Sequence, residues 1–353
     1  MLEKIRGIIA FAREKNILHK IGVAISLTII AVAGYVLYQM LKTLNFSEVM
    51  QAMRETKPQA IFLAGLCVAA GYFTLTFYDL FALRTIGKND VPYRIAAFAA
   101  FTSYSIGHNV GASVLTGGAV RYRIYSAHGL NAIDVAKICF LAGLTFWLGN
   151  AAVLGLGVAY HPEAASSIDQ LPYWLNRVFA LGILAGLMGY VAWVWNKPRP
   201  VGRGTWTVTL PGGPLTLLQI IIGIVDLAFC SLAMYILMPP EPFVGFVVVA
   251  VIFVSATLLG FASHSPGGLG VFDAAMLYGI LHFDKQFDRE DLLAGMLLFR
   301  VLYYIIPFVI SVILLSAREL LVGLKAKRVK AAIKHLDDVA QGKPPQKSRS
   351  ATN

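Results

Sequence analysis

Residues 102–130 read TSYSIGHNVGASVLTGGAVRYRIYSAHGL, a stretch that sets glycines, hydroxyls and cations between long apolar runs. Gly107, Gly111, Gly117 and Gly118 permit turns of the backbone, Ser103, Ser113, Thr116, His108 and Asn109 offer hydrogen bonds, and Arg121 and Arg123 follow at once. Non-helical backbone survives at membrane depth only where it is buried in protein or lines a wet cavity. The stretch therefore predicts a broken or re-entrant helix, opened at Gly117-Gly118, that builds a polar site inside a membrane protein. A cytoplasmic loop between two spans is the plainer alternative.

Outward from this stretch the chain is apolar. Of its 353 residues 57% are hydrophobic and 14% charged, the composition of a polytopic all-α integral membrane protein. Spans of about 20 residues leave room for about eight membrane elements and no ordinary soluble domain. Spans are expected at 20–41, 59–83, 132–159, 172–195, 215–238 and 292–316, with broken elements at 93–128 and 243–283. Three regions follow: a basic cytoplasmic start at 1–19, a membrane domain at 20–316, and a basic cytoplasmic tail at 317–353. The tail reads as an amphipathic helix and then disorder. The first apolar run is too long for a signal peptide and should stay as a span. Cys67, Cys139 and Cys230 stand singly in apolar runs, so they read as small buried hydrophobes, with neither disulfide nor zinc expected.

The net charge of +11 gathers at the ends, with Lys4, Arg6, Arg13, Lys15 and Lys20 before the first span and nine Lys/Arg from Arg318 onward. Both ends are therefore expected in the cytoplasm, attracted to an anionic leaflet. No aromatic and basic module accompanies the charge, so nucleic acid is excluded as a partner. The loop holding Glu163 and Asp169 and the loop at 238–242 lack cations and face outward; the loop with Lys197, Arg199 and Arg203 faces inward. The basic loop with Lys42, Arg54 and Lys57 runs against this pattern. With these signs the second half becomes an inverted copy of the first. Two faint echoes agree: Thr116-Gly117-Gly118-Ala119 with Pro266-Gly267-Gly268-Leu269, and Tyr78-Asp79-Leu80 with Val225-Asp226-Leu227. Inverted repeats with broken helices and a site between them are transporter architecture.

An ionisable group at mid-membrane costs at least about 2.5 kcal/mol, which makes Asp79, Asp226, Asp273 and Arg300 candidate functional residues. Asp79 and Asp226 alternatively snorkel or cap at span ends. Asp273 follows Ser263-His264-Ser265-Pro266-Gly267-Gly268-Leu269-Gly270, where proline and glycines break the helix and free N–H groups favour an anion. A structural N-terminal cap is the other reading of Asp273. Arg300 lies too deep to snorkel and requires a buried carboxylate, with Asp79, Asp226 and Asp273 as candidates. Arg121 and Arg123 suit a phosphate through their planar forks. Trp147, Trp174, Trp193 and Trp195 read as interface or packing residues. Hydrolase signatures are missing: there is no Gly-x-Ser-x-Gly, no His-Glu-x-x-His and no P-loop, and a histidine adjacent to serines is not a base and nucleophile pair.

Three stretches together resemble a known family. They are Ser103-Tyr104 through Leu115-Thr116-Gly117-Gly118-Ala119-Val120-Arg121-Tyr122-Arg123-Ile124-Tyr125, Ser263-His264-Ser265-Pro266-Gly267-Gly268-Leu269-Gly270-Val271-Phe272-Asp273, and Phe299-Arg300 with Tyr303-Tyr304 and Pro307. Over about 20–316 the chain is similar to the membrane region of the lysylphosphatidylglycerol synthetase/flippase family of the multiple peptide resistance factor type, including its stand-alone members. The resemblance implies movement of a phospholipid, or a related polyprenyl or hopanoid lipid, between leaflets of the bacterial inner membrane. It also implies no catalysis here, since the family's aminoacyl-tRNA-dependent transferase domain has no counterpart in the chain. Where the family usually carries Glu after Gly-Val-Phe, this chain has Asp273. On this reading the lipid-binding set is Arg121, Arg123, Asp79, Asp226, Asp273, Arg300, Gly117, Gly118, Gly267, Gly268 and His264, without metal or cofactor. Membrane phospholipids are the expected partners; a separate synthase and a homo-oligomer stay open. The alternative function is a non-transporting membrane partner of a lipid synthase or glycosyltransferase.

Overall fold

A computed structural model of the chain describes residues 24, 27–42, 45–204 and 206–340. The basic start and the end of the tail, where disorder is expected, lie outside the described residues. The all-helical polytopic fold is as expected. Helices α1 (Leu27–Lys42) and α2 (Phe46–Glu55) precede α3 (Pro58–Thr85), α4 (Tyr93–Val110), α5 (Ser113–Tyr125), α6 (Ala132–Tyr160), α7 (Pro162–Asp169) and α8 (Tyr173–Val194). A two-stranded antiparallel hairpin, β1 (Arg199–Arg203) and β2 (Trp206–Leu210), then leads to α9 (Gly213–Leu237), α10 (Phe246–Ala262), α11 (Val271–Phe283), α12 (Arg289–Phe299) and α13 (Ile306–Ala340). Between α12 and α13 the chain widens into a π-helical segment, Arg300–Ile305. Five of these helical runs are long and apolar enough to cross a bilayer, or six with α1 and α2 taken as one bent span. The described residues up to Val312 form one compact unit, and the unit from Ile313 is helical as far as Ala340. Neither α7 nor the β-hairpin was legible as an element in the sequence.

Local signals place the ends of the elements. Asn131 and Asp134 form a reciprocal capping box at the start of α6, Asp288 accepts from Glu290 and Asp291 N–H at the start of α12, and proline opens α3, α7 and α9. The four candidate interface tryptophans, Trp147, Trp174, Trp193 and Trp195, are all exposed on the outer surface, as side chains meeting lipid or headgroups are.

The two broken elements are helical hairpins. In the first, Gly107 lies against Ser113 and Gly117 against the Ser103 carbonyl, so α4 and α5 run antiparallel; in the second, Gly260 faces Phe272 and Gly279 faces Ile252, so α10 and α11 do the same. Their arms are short. The 13 residues of α5 or α11 reach about 20 Å at 1.5 Å per residue, against ~30 Å of hydrocarbon.

Helices α6 and α9 are in parallel register, with Gln219 Nε2 donating to Thr145 Oγ1 at 2.9 Å and Gly149 meeting Gly223 backbone to backbone. The first hairpin is rooted just before the start of α6, the second just after the end of α9. They consequently enter from opposite ends of the bundle, and their tips meet: a Cβ on Gly111 would lie 3.0 Å from the His264 carbonyl oxygen. Each half thus reads helix, hairpin, helix, and α3 packs against α9 at the echoed Tyr78-Asp79 and Val225-Asp226.

Candidate functional site

The tip of the first hairpin is Gly111-Ala112. Gly111 has φ +85°, and Ala112, at φ 45°, is held in the left-handed region that ordinary residues avoid. Side chains reinforce the turn that ends α4: Ser113 Oγ donates to Gly107 O, which also accepts the Gly111 N–H, and Thr116 Oγ1 donates to Gly111 O, each hydroxyl contact at 3.0 Å. At the second tip Gly267, Gly268 and Gly270 have positive φ, and so does His264 at 54°. Of three non-glycine residues with positive φ among the described residues, Ala112 and His264 sit at these two tips. Strain of this kind collects at sites where the chain is held for function.

Gly117 and Gly118, expected as the break, lie inside α5. Gly117 is there for room: a Cβ would come within 3.1 Å of the Ser103 carbonyl oxygen. The break expected at Gly117-Gly118 is therefore corrected: the chain turns at Gly111-Ala112 instead. The N–H groups of those glycines are in a continuous helix, and the Arg121 fork is taken. Its Nε donates to Asp79 Oδ1 and Oδ2 at 3.1 and 3.0 Å, its Nη2 to Oδ1 at 2.8 Å, and Tyr125 OH adds 2.7 Å to Oδ2. The guanidinium lies 4.6 Å from the Tyr104 ring centroid. Asp79 is fully buried and Arg121 nearly so, which removes the snorkelling alternative for Asp79. Arg123 is buried and engaged.

Asp226, on α9, is also buried, away from its helix ends, with Tyr78 OH donating to Oδ2 at 3.0 Å. Cys230, one turn on, brings its thiol to 3.9 Å from Oδ1, so this cysteine is more than filler. The i, i+4 spacing was the signal for it.

Arg300 finds Asp273. Its Nη2 donates at 2.6 Å to Oδ1 while Asp273 Oδ2 accepts the Gly270 N–H at 3.0 Å, so the carboxylate is both cap and ion-pair partner. The pair is lopsided. Arg300 is 8% exposed and its Nη1 is buried without a hydrogen-bond partner, whereas the Asp273 side chain is 30% exposed. The π segment that starts at Arg300 is tied to both halves. Pro307 has no N–H to give the Tyr303 carbonyl, and the Tyr72 hydroxyl donates to it instead at 3.1 Å. Asn109, near the first tip, donates to Ser105 O and to Tyr304 O at 2.8 and 3.2 Å, while its Oδ1 is buried, unpartnered and close to Gly267. The exposed second tip adds the Ser263 and Ser265 hydroxyls, 2.8 Å apart, and His264. The structure thus pairs Asp273 with Arg300 just after the second tip, which holds His264, Gly267 and Gly268, and sets Asn109, which was read only as a hydrogen-bonding residue, beside Gly267. It puts Asp79 and Arg121 in a second, closed cluster, with Asp226 beyond Tyr78.

The sequence profile of the lysylphosphatidylglycerol synthase TM region matches residues 21–311. The chain belongs to this family. Members related to it include slr0712 of Synechocystis, 30% identical over 260 residues that cover 74% of this chain and 80% of that protein. The inner membrane protein YbhN of Escherichia coli is 27% identical over 82% of this chain and 88% of its own. A phosphatidylglycerol lysyltransferase of Staphylococcus aureus is 25% identical over 79% of this chain, a match spanning only 32% of the lysyltransferase. Family membership and the apolar helices make this a multi-pass membrane protein with a lipid-related role.

Proposed function

We propose that the protein carries a phospholipid headgroup between the leaflets of the bacterial inner membrane, with both termini cytoplasmic and no chemistry of its own on the lipid. The observation that supports it most is the half-satisfied Arg300, held by Asp273 just after the tip of a hairpin that meets the other from the opposite end of the bundle. An arginine with one nitrogen on a carboxylate and another unpartnered can take a phosphate oxygen without abandoning Asp273. The part-exposed Asp273 can in turn take an amine, the group that lysine adds to phosphatidylglycerol in the product named for the staphylococcal relative. Shielding a headgroup along polar side chains removes the desolvation that makes unaided crossing slow. Arg121, Arg123, Asp79, Gly117 and Gly118 serve this reading as the framework that holds the first hairpin.

Vesicles containing the purified protein and fluorescent phosphatidylglycerol, bleached from outside, test it. Faster loss of inner-leaflet signal is expected in wild type than in protein-free vesicles, with Arg300→Ala reduced to the protein-free rate and Asp273→Asn impaired at near-normal stability. Equal rates with and without protein would overturn it. The second reading is a membrane partner for a lipid synthase, in keeping with the match to part of a lysyltransferase; stoichiometric copurification of a synthase without flipping would establish that.

A further inference from the structure

Asp79 and Asp226 occupy the echoed positions of α3 and α9, yet among the described residues only Asp79 has a cation. Asp79 holds the Arg121 fork and the Tyr125 hydroxyl. Asp226, 4% exposed, has the Tyr78 hydroxyl at 3.0 Å and the Cys230 thiol at 3.9 Å. Arg121 and Arg300 are directed to Asp79 and Asp273. The titratable groups facing Asp226 are Tyr72 and Tyr78 of α3, Tyr104 of α4, Tyr303 of the π segment and Cys230 on its own helix. All are neutral in their ordinary forms near pH 7. Helix α10 has no titratable residue, and no lysine or arginine of α6, α8 or α12 bonds to Asp226.

Burying a carboxylate with no cation beside it is costly, and the groups around Asp226 offer hydrogen bonds but no positive charge. A residue needed only to accept from Tyr78 would be served by asparagine, with no ionisable group at this depth. We propose that Asp226 is a reversible proton-binding site, occupied in the conformation described and emptied when the two halves move, coupling lipid movement to proton transfer across the membrane. The coupling rests on the transport reading. In the step the Asp226 O–H bond breaks, the proton passes to water reaching the crossing of α3 and α9, and the carboxylate regains a proton from water on the other side; nothing is oxidised or reduced. Tyr72, which faces Asp226, also reaches Ser105 of α4, one turn from Asn109, so polar side chains extend from Asp226 into the first hairpin.

Infrared spectra of the full chain in lipid nanodiscs read the site without a transport assay. At pH about 7, where a free carboxyl is ionised, wild type should show the carbonyl stretch of a protonated acid. The band should vanish in Asp226→Asn and shift in Asp226→Glu and Tyr78→Phe. No such band in wild type, or its survival unchanged in Asp226→Asn, would overturn the site. Where Asp226→Asn fails to fold, a band unmoved in both other variants does so. Coupling is read in vesicles with fluorescent phosphatidylglycerol under an imposed pH gradient, which should bias movement several-fold in wild type and not in Asp226→Asn. Flipping that ignores the gradient in wild type sinks the coupling and leaves transport standing; the band without flipping removes transport and leaves the proton site.

Discussion

Arg121 grips Asp79 from 42 positions away, through three hydrogen bonds of 2.8–3.1 Å between side chains that are almost completely out of solvent. The pair clamps the returning arm of the first hairpin to α3. Removing one member of such a pair leaves an uncompensated buried charge, at about 3–5 kcal/mol. Arg121→Ala should therefore lower thermal stability in detergent steeply, while Asp79→Leu combined with Arg121→Met recovers most of the loss. Unchanged stability in Arg121→Ala, with transport gone, would instead return Arg121 to the headgroup.

The contact between α6 and α9 depends on missing side chains. A Cβ at Gly149 would stand 2.6 Å from the Gly223 Cα, and overpacking of this kind costs about 1–3 kcal/mol. Gly149→Ala should destabilise by that order in a thermal melt. Gly143→Ala, in the same helix with nothing within 4 Å of its Cβ position, should be neutral or stabilising by about 0.5–1 kcal/mol.

Tyr72 serves a carbonyl that Pro307 leaves free. Tyr72→Phe should cost about 1–3 kcal/mol, the penalty for a buried unsatisfied acceptor. In a Pro307→Ala background the helix regains an N–H for that carbonyl, and the same change should cost less. Additive losses in the double-mutant cycle would show that the two groups do not share the acceptor.

Membrane sidedness is open to direct chemical test. Single cysteines replacing the exposed Asp169 and Lys197, in a chain without Cys67, Cys139 and Cys230, should react with an impermeant maleimide from opposite sides, Lys197→Cys from the cytoplasm. Reaction from the same side would contradict the crossing of α8 between them.

The long spans were readable because lipid demands an unbroken apolar surface, and α3, α6, α8 and α9 run within a few residues of the expected limits. The hairpins were readable as interruptions, but not their turning points. Glycine serves both to turn a chain and to let helices touch, and the sequence does not distinguish Gly111, which turns, from Gly117, which makes room for Ser103. Arg300 announced that it needed a carboxylate; only the fold chooses Asp273 over Asp79 and Asp226. Of the π segment nothing was visible beyond Pro307, because its widening answers to Tyr72 and Asn109, more than 190 positions earlier.

The second hairpin shows lipid an apolar flank, with Leu259, Leu269 and Tyr278 all exposed, above a polar tip at Ser263–Ser265. A bilayer beside it meets an arm roughly 10 Å too short for its hydrocarbon, and such mismatch is relieved by thinning at fractions of a kcal/mol per Å. Water and headgroups are drawn down towards the tip as the leaflet sinks. The protein thus deforms its own solvent, and a lipid arriving there has less oil left to cross.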